Sequence, residues 1–359
     1  MKQFNPSSMA STARTKVRPT IREFDLIRSL HQRYGRGTPS VIQGIGDDAA
    51  IITSRAGQWA VLTTDLLTEG IHFDLRTVAM FDVGFRAAAA NLSDIAAMGG
   101  TPRHLLAALA VPRAGTSRQV HQLYRGMMAA CRPHHVGLIG GDTSASRSGW
   151  FLSLTLIGVV PPRQTLFRSG ARFGDFLFVT GTIGDSLAGL RLLNEPRFRA
   201  NPHQYTAAFS KRYRQFLIDR HRRPTARLAE GQWLGANRLA TSAIDISDGL
   251  SGDLRHICEE SHVGAEIDLR ALPLSRACRG YAATRNLNPM DLALRGGEDY
   301  ELLFTVSPRQ RPRLEQTALQ EGFSLTCIGK IRPFRFGLQV LSPDGRYRRL
   351  VNTSYRHFT

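Results

Sequence analysis

Cysteine is scarce in this chain: four residues in 359, at Cys131, Cys258, Cys278 and Cys327, with no two close enough to form a Cys-x-x-Cys pair. That spacing offers neither a disulfide framework nor a zinc site, and it fits a reducing cytoplasm. Long apolar runs are missing as well. The longest, Leu105–Val111 and Phe151–Val160, fall short of the roughly 18 residues a membrane helix needs and read as buried core. The first twenty residues hold Lys2, Arg14, Lys16 and Arg18, but no acid and no apolar stretch of the kind a secretory signal carries. Residues 1–20 read as a basic, solvated tail, with order beginning near Ile21, where Phe24, Ile27 and Leu30 fall at helical spacing. Familiar nucleotide-binding signatures are absent too. There is no Gly-x-x-x-x-Gly-Lys-Ser/Thr loop, the Gly44-x-Gly46 pair lacks the rest of a dinucleotide fingerprint, and no His-Arg-Asp precedes an Asp-Phe-Gly.

Positive charge, by contrast, is plentiful: 47 basic against 29 acidic residues, a net charge of +18. One reading is a nucleic-acid-binding protein. Part of the excess lies in Arg197–Arg227, where Tyr205, Phe209, Tyr213 and Phe216 recur at helical spacing. The pattern predicts a helix that packs its rings on the body and leaves its arginines as a solvated face. A general positive field also draws phosphate-bearing substrates.

The length suits two packed domains. Predicted strands and helices alternate irregularly: Trp59–Leu67, Leu105–Val111, Val136–Ile139 and Phe151–Val160 as strands, Asp82–Met98 and Ser117–Cys131 as helices, then a break at Pro161-Pro162. Beyond it, Asp175–Thr180 and Leu302–Val306 read as strands, and Asp185–Leu193, Asn194–Arg223, Thr225–Leu234, Leu250–Ser261 and Pro308–Glu321 as helices. The expectation is an α/β protein of α+β type, with mixed domains at 21–161 and 162–359.

The acids, though few, are concentrated. They stand in Gly44-Ile45-Gly46-Asp47-Asp48-Ala49-Ala50, Thr63-Thr64-Asp65, Gly140-Gly141-Asp142-Thr143, Asp245-Ile246-Ser247-Asp248-Gly249 and Gly296-Gly297-Glu298-Asp299-Tyr300-Glu301, while Asn91 and Asp94 share one face of a helix. Any one of these can be a turn or a cap. Together they are costly through like-charge repulsion unless cations are held among them. Magnesium takes oxygen ligands from a few carboxylates and from substrate phosphates, and glycine lets phosphates approach the backbone. The joint pattern predicts a magnesium-dependent, ATP-using small-molecule kinase.

In order along the chain, these segments resemble the thiamine-monophosphate kinase family of the aminoimidazole-ribonucleotide-synthetase-like superfamily. Gly70-Ile71-His72-Phe73, Asn91-Leu92-Ser93-Asp94, Arg168-Ser169-Gly170-Ala171 and Val179-Thr180-Gly181-Thr182-Ile183-Gly184-Asp185-Ser186 extend the resemblance over about Ile21 to Phe358. The family fold implies two α/β domains and a homodimer whose N-terminal sheets pair. The family activity implies direct transfer of the ATP γ-phosphate to thiamine monophosphate, with no protein nucleophile or base. The resemblance assigns several magnesium ions to Asp48, Thr63, Thr64, Asp65, Asp94, Asp142, Asp245 and Asp248. It assigns ATP contacts to Gly141, Asp142, Arg168 and Ser247, and substrate contacts to His72, Glu298 and Tyr355. No membrane partner is expected. A basic nucleic-acid binder on the same scaffold, or a relative with another acceptor, is the competing expectation.

Overall fold

The computed structural model describes residues 23–34, 38–54, 57–196 and 210–355. After helix α1 (Glu23–Tyr34) come β1 (Val41–Gln43), β2 (Ala50–Thr53), β3 (Trp59–Thr68), α2 (Met80–Ala97), β4 (Thr101–Pro112), α3 (Ser117–Cys131), β5 (Gly137–Ser146) and β6 (Phe151–Val160). The strands form one sheet in the order β1-β2-β3-β6-β4-β5, antiparallel except for β4 and β5. Along β6 every second residue is buried, and Leu152, Leu154, Leu156 and Val160 join the first core together with residues of α2 and α3. The opposite face of this sheet is open. It shows Leu66, with Leu138 and Ile139 at the β5 edge.

On the other side of Pro161-Pro162 lie β7 (Phe176–Thr180), α4 (Asp185–Asn194), α5 (Lys211–Arg222), α6 (Leu228–Ala236), β8 (Ser242–Asp245) and α7 (Leu250–Glu260). They are followed by β9 (Gly264–Asp268), α8 (Arg276–Thr284), α9 (Pro289–Arg295), β10 (Leu302–Val306), α10 (Arg311–Glu321), β11 (Leu325–Arg332), β12 (Leu338–Leu341) and β13 (Tyr347–Arg349). This second sheet runs β13-β12-β9-β11-β7-β10-β8, with β12 and β9 as its parallel pair. Its central strands are buried on both faces. Leu177 and Val179 of β7 enter the second core, while Phe178 and Phe304 stack at 5.8 Å in the first. That is why β10 is apolar at every position but Thr305, and the stacked pair fastens the two halves to a common core. The mixed α/β fold is therefore the one expected. Among the described residues no helix is long and apolar enough to cross a membrane.

Two expectations need correction. The segment Gly140–Thr143 is neither a turn nor a cap, because it continues β5, carried by parallel pairing with Leu106–Leu109 of β4. The arginines of the basic segment are not simply a solvated face either. Arg223 binds Asp82 (2.6 Å), Arg220 binds Glu301 (2.8 Å), and Arg227 grips Glu301 through Nε and Nη2, both at 2.6 Å. A carboxylate as deeply buried as Glu301 needs such partners. Tyr205 and Phe209 lie outside the described residues. Tyr213 packs against the second core, but Phe216 is exposed, because the buried stripe of α5 runs through Leu217, Ile218 and His221.

Candidate functional site

The carboxylates converge where the two halves meet. Asp48 stands in the short connection between β1 and β2, Asp65 on β3, Asp94 in the last turns of α2, and Asp245 at the end of β8. Ligand oxygens of Asp48, Asp94 and Asp245 all lie within 4.8 Å of one another. Asp65 belongs to the same field. Burial and then Asp248 push its carboxyl up to about 6, and Asp94, itself held well above the carboxylate range by burial, feels Asp65, Asp245 and Asp48. Asp245 is pushed to about 8, by burial first and by Asp48 next.

Polar neighbours fix these groups in place. Ser93 donates to Asp245 Oδ2 (2.6 Å), tying α2 to β8, and Thr63 Oγ1 donates to Asp94. Arg168 donates to Asp48 Oδ1 from Nη2 at 2.5 Å and from Nε at 3.2 Å, while its backbone N–H donates to Asp47. Burial works against the Arg168 charge, but Asp48 outweighs it and keeps the guanidinium protonated. Asp48 Oδ2 is buried without a hydrogen-bond partner. Like-charged oxygens crowded together, one of them orphaned, fit a hard cation held by oxygen donors.

Strand alternation takes two expected ligands elsewhere. Asp142 pairs with Ala108, Ala108 with Ser153, and Ser153 with Leu66, so this row shares the open face of the first sheet with Thr64. Thr64 Oγ1 donates there to Leu154 O at 3.0 Å. Asp94 sits behind the other face. Within one chain, the Asp142 and Thr64 side chains are thus separate from the Asp48–Asp94–Asp245 cluster. Gly141 is dictated by packing, since a Cβ there would lie 1.9 Å from Ala107 O.

Glu298 and Tyr355 both stand at the turn after β8, and the His72 carbonyl is linked to Glu298 through Arg86. The loop 297–301 runs beside the turn after β8: Glu298 N donates to Ser247 O (2.7 Å) and Tyr300 N to Ile246 O (2.9 Å). Gly297 is needed there, because a Cβ would stand 2.5 Å from Ser247 O. Glu298 and Tyr300 adopt φ of 61° and 52°, unusual for non-glycine residues. Tyr355 N donates to Asp248 O (3.2 Å), and its hydroxyl is raised by burial first and then by the charges of Glu23, Glu298 and Asp248. His72 accepts from Thr68 N–H at Nδ1 (2.9 Å), and its carbonyl accepts from Arg86. Ser247 contributes its carbonyl to the Glu298 loop.

Several functional neighbours escaped the sequence reading. Asp47 and Ser93 sat inside quoted motifs. His221 was hidden in the basic segment. Arg86, a lone cation in the apolar run of α2, carried a signal in its isolation.

Residues 46–160 match the N-terminal domain of the AIR synthase related proteins, and 172–336 match their C-terminal domain. Thiamine-monophosphate kinase of Bacillus subtilis (strain 168) is 37% identical over 338 residues, covering 94% of this chain and 99% of that protein. Thiamine-monophosphate kinase of Escherichia coli (strain K12) is 39% identical over 339 residues, covering 94% and 98%. Among solved structures, AaThiL complexed with AMPPCP and TMP superposes with a TM-score of 0.79 at 33% identity, covering 94% of this chain and 97% of that one.

Proposed function

The chain belongs to the thiamine-monophosphate kinase family of AIR synthase related proteins, and from that premise we propose that it transfers the γ-phosphate of ATP directly to thiamine monophosphate, giving thiamine diphosphate and ADP. The observation that carries the chemistry is the Asp48–Asp94–Asp245 cluster with its orphaned oxygen. Asp48, Asp65, Asp94, Asp245 and Asp248 would hold magnesium, with Thr63 fixing Asp94. The ion would supply neutralisation of phosphate charge between the two anions.

The protein's own work is placement. The acceptor phosphate has its second pKa near 6 and is largely ionised at neutral pH, so no strong protein base is required and none is assigned. Arg168, next to the cluster, adds a planar cation for phosphate oxygens. Glu298, His72 and Tyr355 receive the organic end of the acceptor, and Ser247 supports Glu298 from below. The division at 161/162 makes 21–161 the unit that carries the sheet for pairing and 162–359 the unit that carries the acceptor loop.

The protein works as a homodimer in the reducing cytoplasm. The open face and edge of the first sheet, with Leu66, Leu138 and Ile139 uncovered, support pairing with a second copy. Such pairing would bring Asp142 and Gly141 to the ATP site.

The test is an assay of thiamine diphosphate formation from ATP, magnesium and thiamine monophosphate. Wild type should make product, and Asp94→Asn should lose at least ~100-fold. A folded wild type that makes no product refutes the substrate, and equal activity in both refutes the metal assignment.

A further inference from the structure

Arg86 is one of the most deeply buried large side chains of the protein, with 2% exposure, and it arises from the apolar helix α2. A buried guanidinium is retained only where acceptors surround it. Its Nη2 donates to the carbonyl of His72. Its Nη1 lies 2.9 Å from His221 Nε2 and 3.5 Å from Glu298 Oε2. Arginine cannot accept, so His221 Nε2 must be the acceptor and the proton of the neutral ring sits on Nδ1. The histidine is neutral because burial, then the Arg86 and Arg222 charges, hold it well below its usual range. Nδ1–H then faces Glu298 Oε2 at 3.4 Å and Ser186 Oγ at 3.1 Å.

Both anchors converge on one oxygen of Glu298. Arg86 Nη1 donates to Oε2 at 3.5 Å, and the His221 ring packs 3.4 Å from the same oxygen while Ser186 Oγ, at 3.1 Å, is the ring's nearer partner. The carboxylate is otherwise carried on a backbone in the left-handed region, where a glutamate has little local preference to stay. Three separate elements therefore set its direction: α2 through Arg86, α5 through His221 and the loop 297–301 itself.

We propose that Arg86 and His221 are positioning residues for the acceptor. They hold the direction of the Glu298 carboxyl group, so that it receives an N–H donor of a heteroaromatic acceptor. The Arg86 charge balances that of Glu298, so the site selects for a directed hydrogen bond more than for positive charge alone. A ring amino group next to a ring nitrogen has the required donor. This rests on the kinase reading above, and it extends the acceptor site to two residues on helices α2 and α5.

The test uses the full chain with His221→Gln, Arg86→Lys, Glu298→Gln and the double variant His221→Gln/Glu298→Gln, in the thiamine diphosphate assay with both substrates varied. Arg86→Lys keeps the charge but cannot reach His221 and the His72 carbonyl with two nitrogens at once. Each single variant should raise KM for thiamine monophosphate by about tenfold, the value of a directed hydrogen bond to a charged group, while KM for ATP moves less than about twofold. In the Glu298→Gln background, His221→Gln should add almost nothing, because its effect passes through the carboxylate. Parallel rises in both KM values, or full additivity in the double variant, overturn the positioning role even if every variant folds. If His221→Gln loses its thermal transition, the same split must appear in Arg86→Lys, and its absence there overturns the proposal. Failure of wild type to phosphorylate thiamine monophosphate is a different result and refutes the kinase reading itself.

Discussion

Raising the pH in the absence of divalent metal should destabilise this protein, and magnesium should cancel the loss. An acid whose folded pKa lies above its unfolded value of 3.8 takes up a proton on folding, so stability is spent as pH climbs through that range. Asp47 is raised to about 7 and Asp245 to about 8, with Asp94 displaced in the same direction. Histidines act oppositely lower down. His256, driven to about 4 from 6.5 by burial and by the nearby Arg168 and Arg255 charges, makes stability rise with pH until about 6.5. The clean window therefore runs from pH 6.5 to 8. At about 1.4 kcal/mol per pH unit per proton, Asp245 alone accounts for about 2 kcal/mol across it. The assay is calorimetric or fluorescence-monitored unfolding at a series of pH values, with chelator and with magnesium. In chelator, Tm should fall by a few degrees between pH 6.5 and 8. Magnesium at a hundred times its dissociation constant should add about 2.7 kcal/mol once the carboxylates are ionised, and less at pH 6.5, where protons compete. Asp245→Asn should flatten the slope and raise Tm at pH 8 without metal. A metal-free Tm that rises over this window, or a magnesium effect independent of pH, would refute the reasoning.

Other perturbations probe separate links. Arg227→Met leaves Glu301, fully buried, with Arg220 as its remaining charged partner, and should cost about 3–5 kcal/mol in urea unfolding. Gly297→Ala places a carbon 2.5 Å from Ser247 O, so it should cost about 1–3 kcal/mol and weaken acceptor affinity more than ATP affinity in steady-state kinetics. Asp142→Asn should lose activity by at least ~100-fold yet keep the wild-type pH slope of metal-free unfolding, because its carboxylate sits on the other face of the sheet from Asp94.

How far the sequence could be read depended on the range of the interaction. Asp48, Asp94 and Asp245 were legible because each lies in a short polar motif at the end of a strand or helix, where local composition announces a turn or cap. The helix Ser117–Cys131 and the strand Phe151–Val160 were equally plain, each having one buried face and one clear period. The faces of Thr64 and Asp142 were not legible, since they follow from the register of β3, β6, β4 and β5, which no single segment contains. Arg86 and His221 are 135 positions apart, and their meeting depends on α5 docking against α2. Short strands such as β1, β12 and β13, three or four residues each, are too brief for a period to show.

The position of Asp142 has one further consequence. In the homodimer proposed above, Asp142, on an uncovered sheet face beside an uncovered edge, would serve the reaction only when a second copy lies against it. The association constant of the protein would then enter its specific activity. Dilution would appear in the kinetics as weakened ATP binding, with no change in any residue of the site. A preparation stored dilute would look like a poor enzyme, and concentrating it would restore the rate with the lag of a bimolecular step.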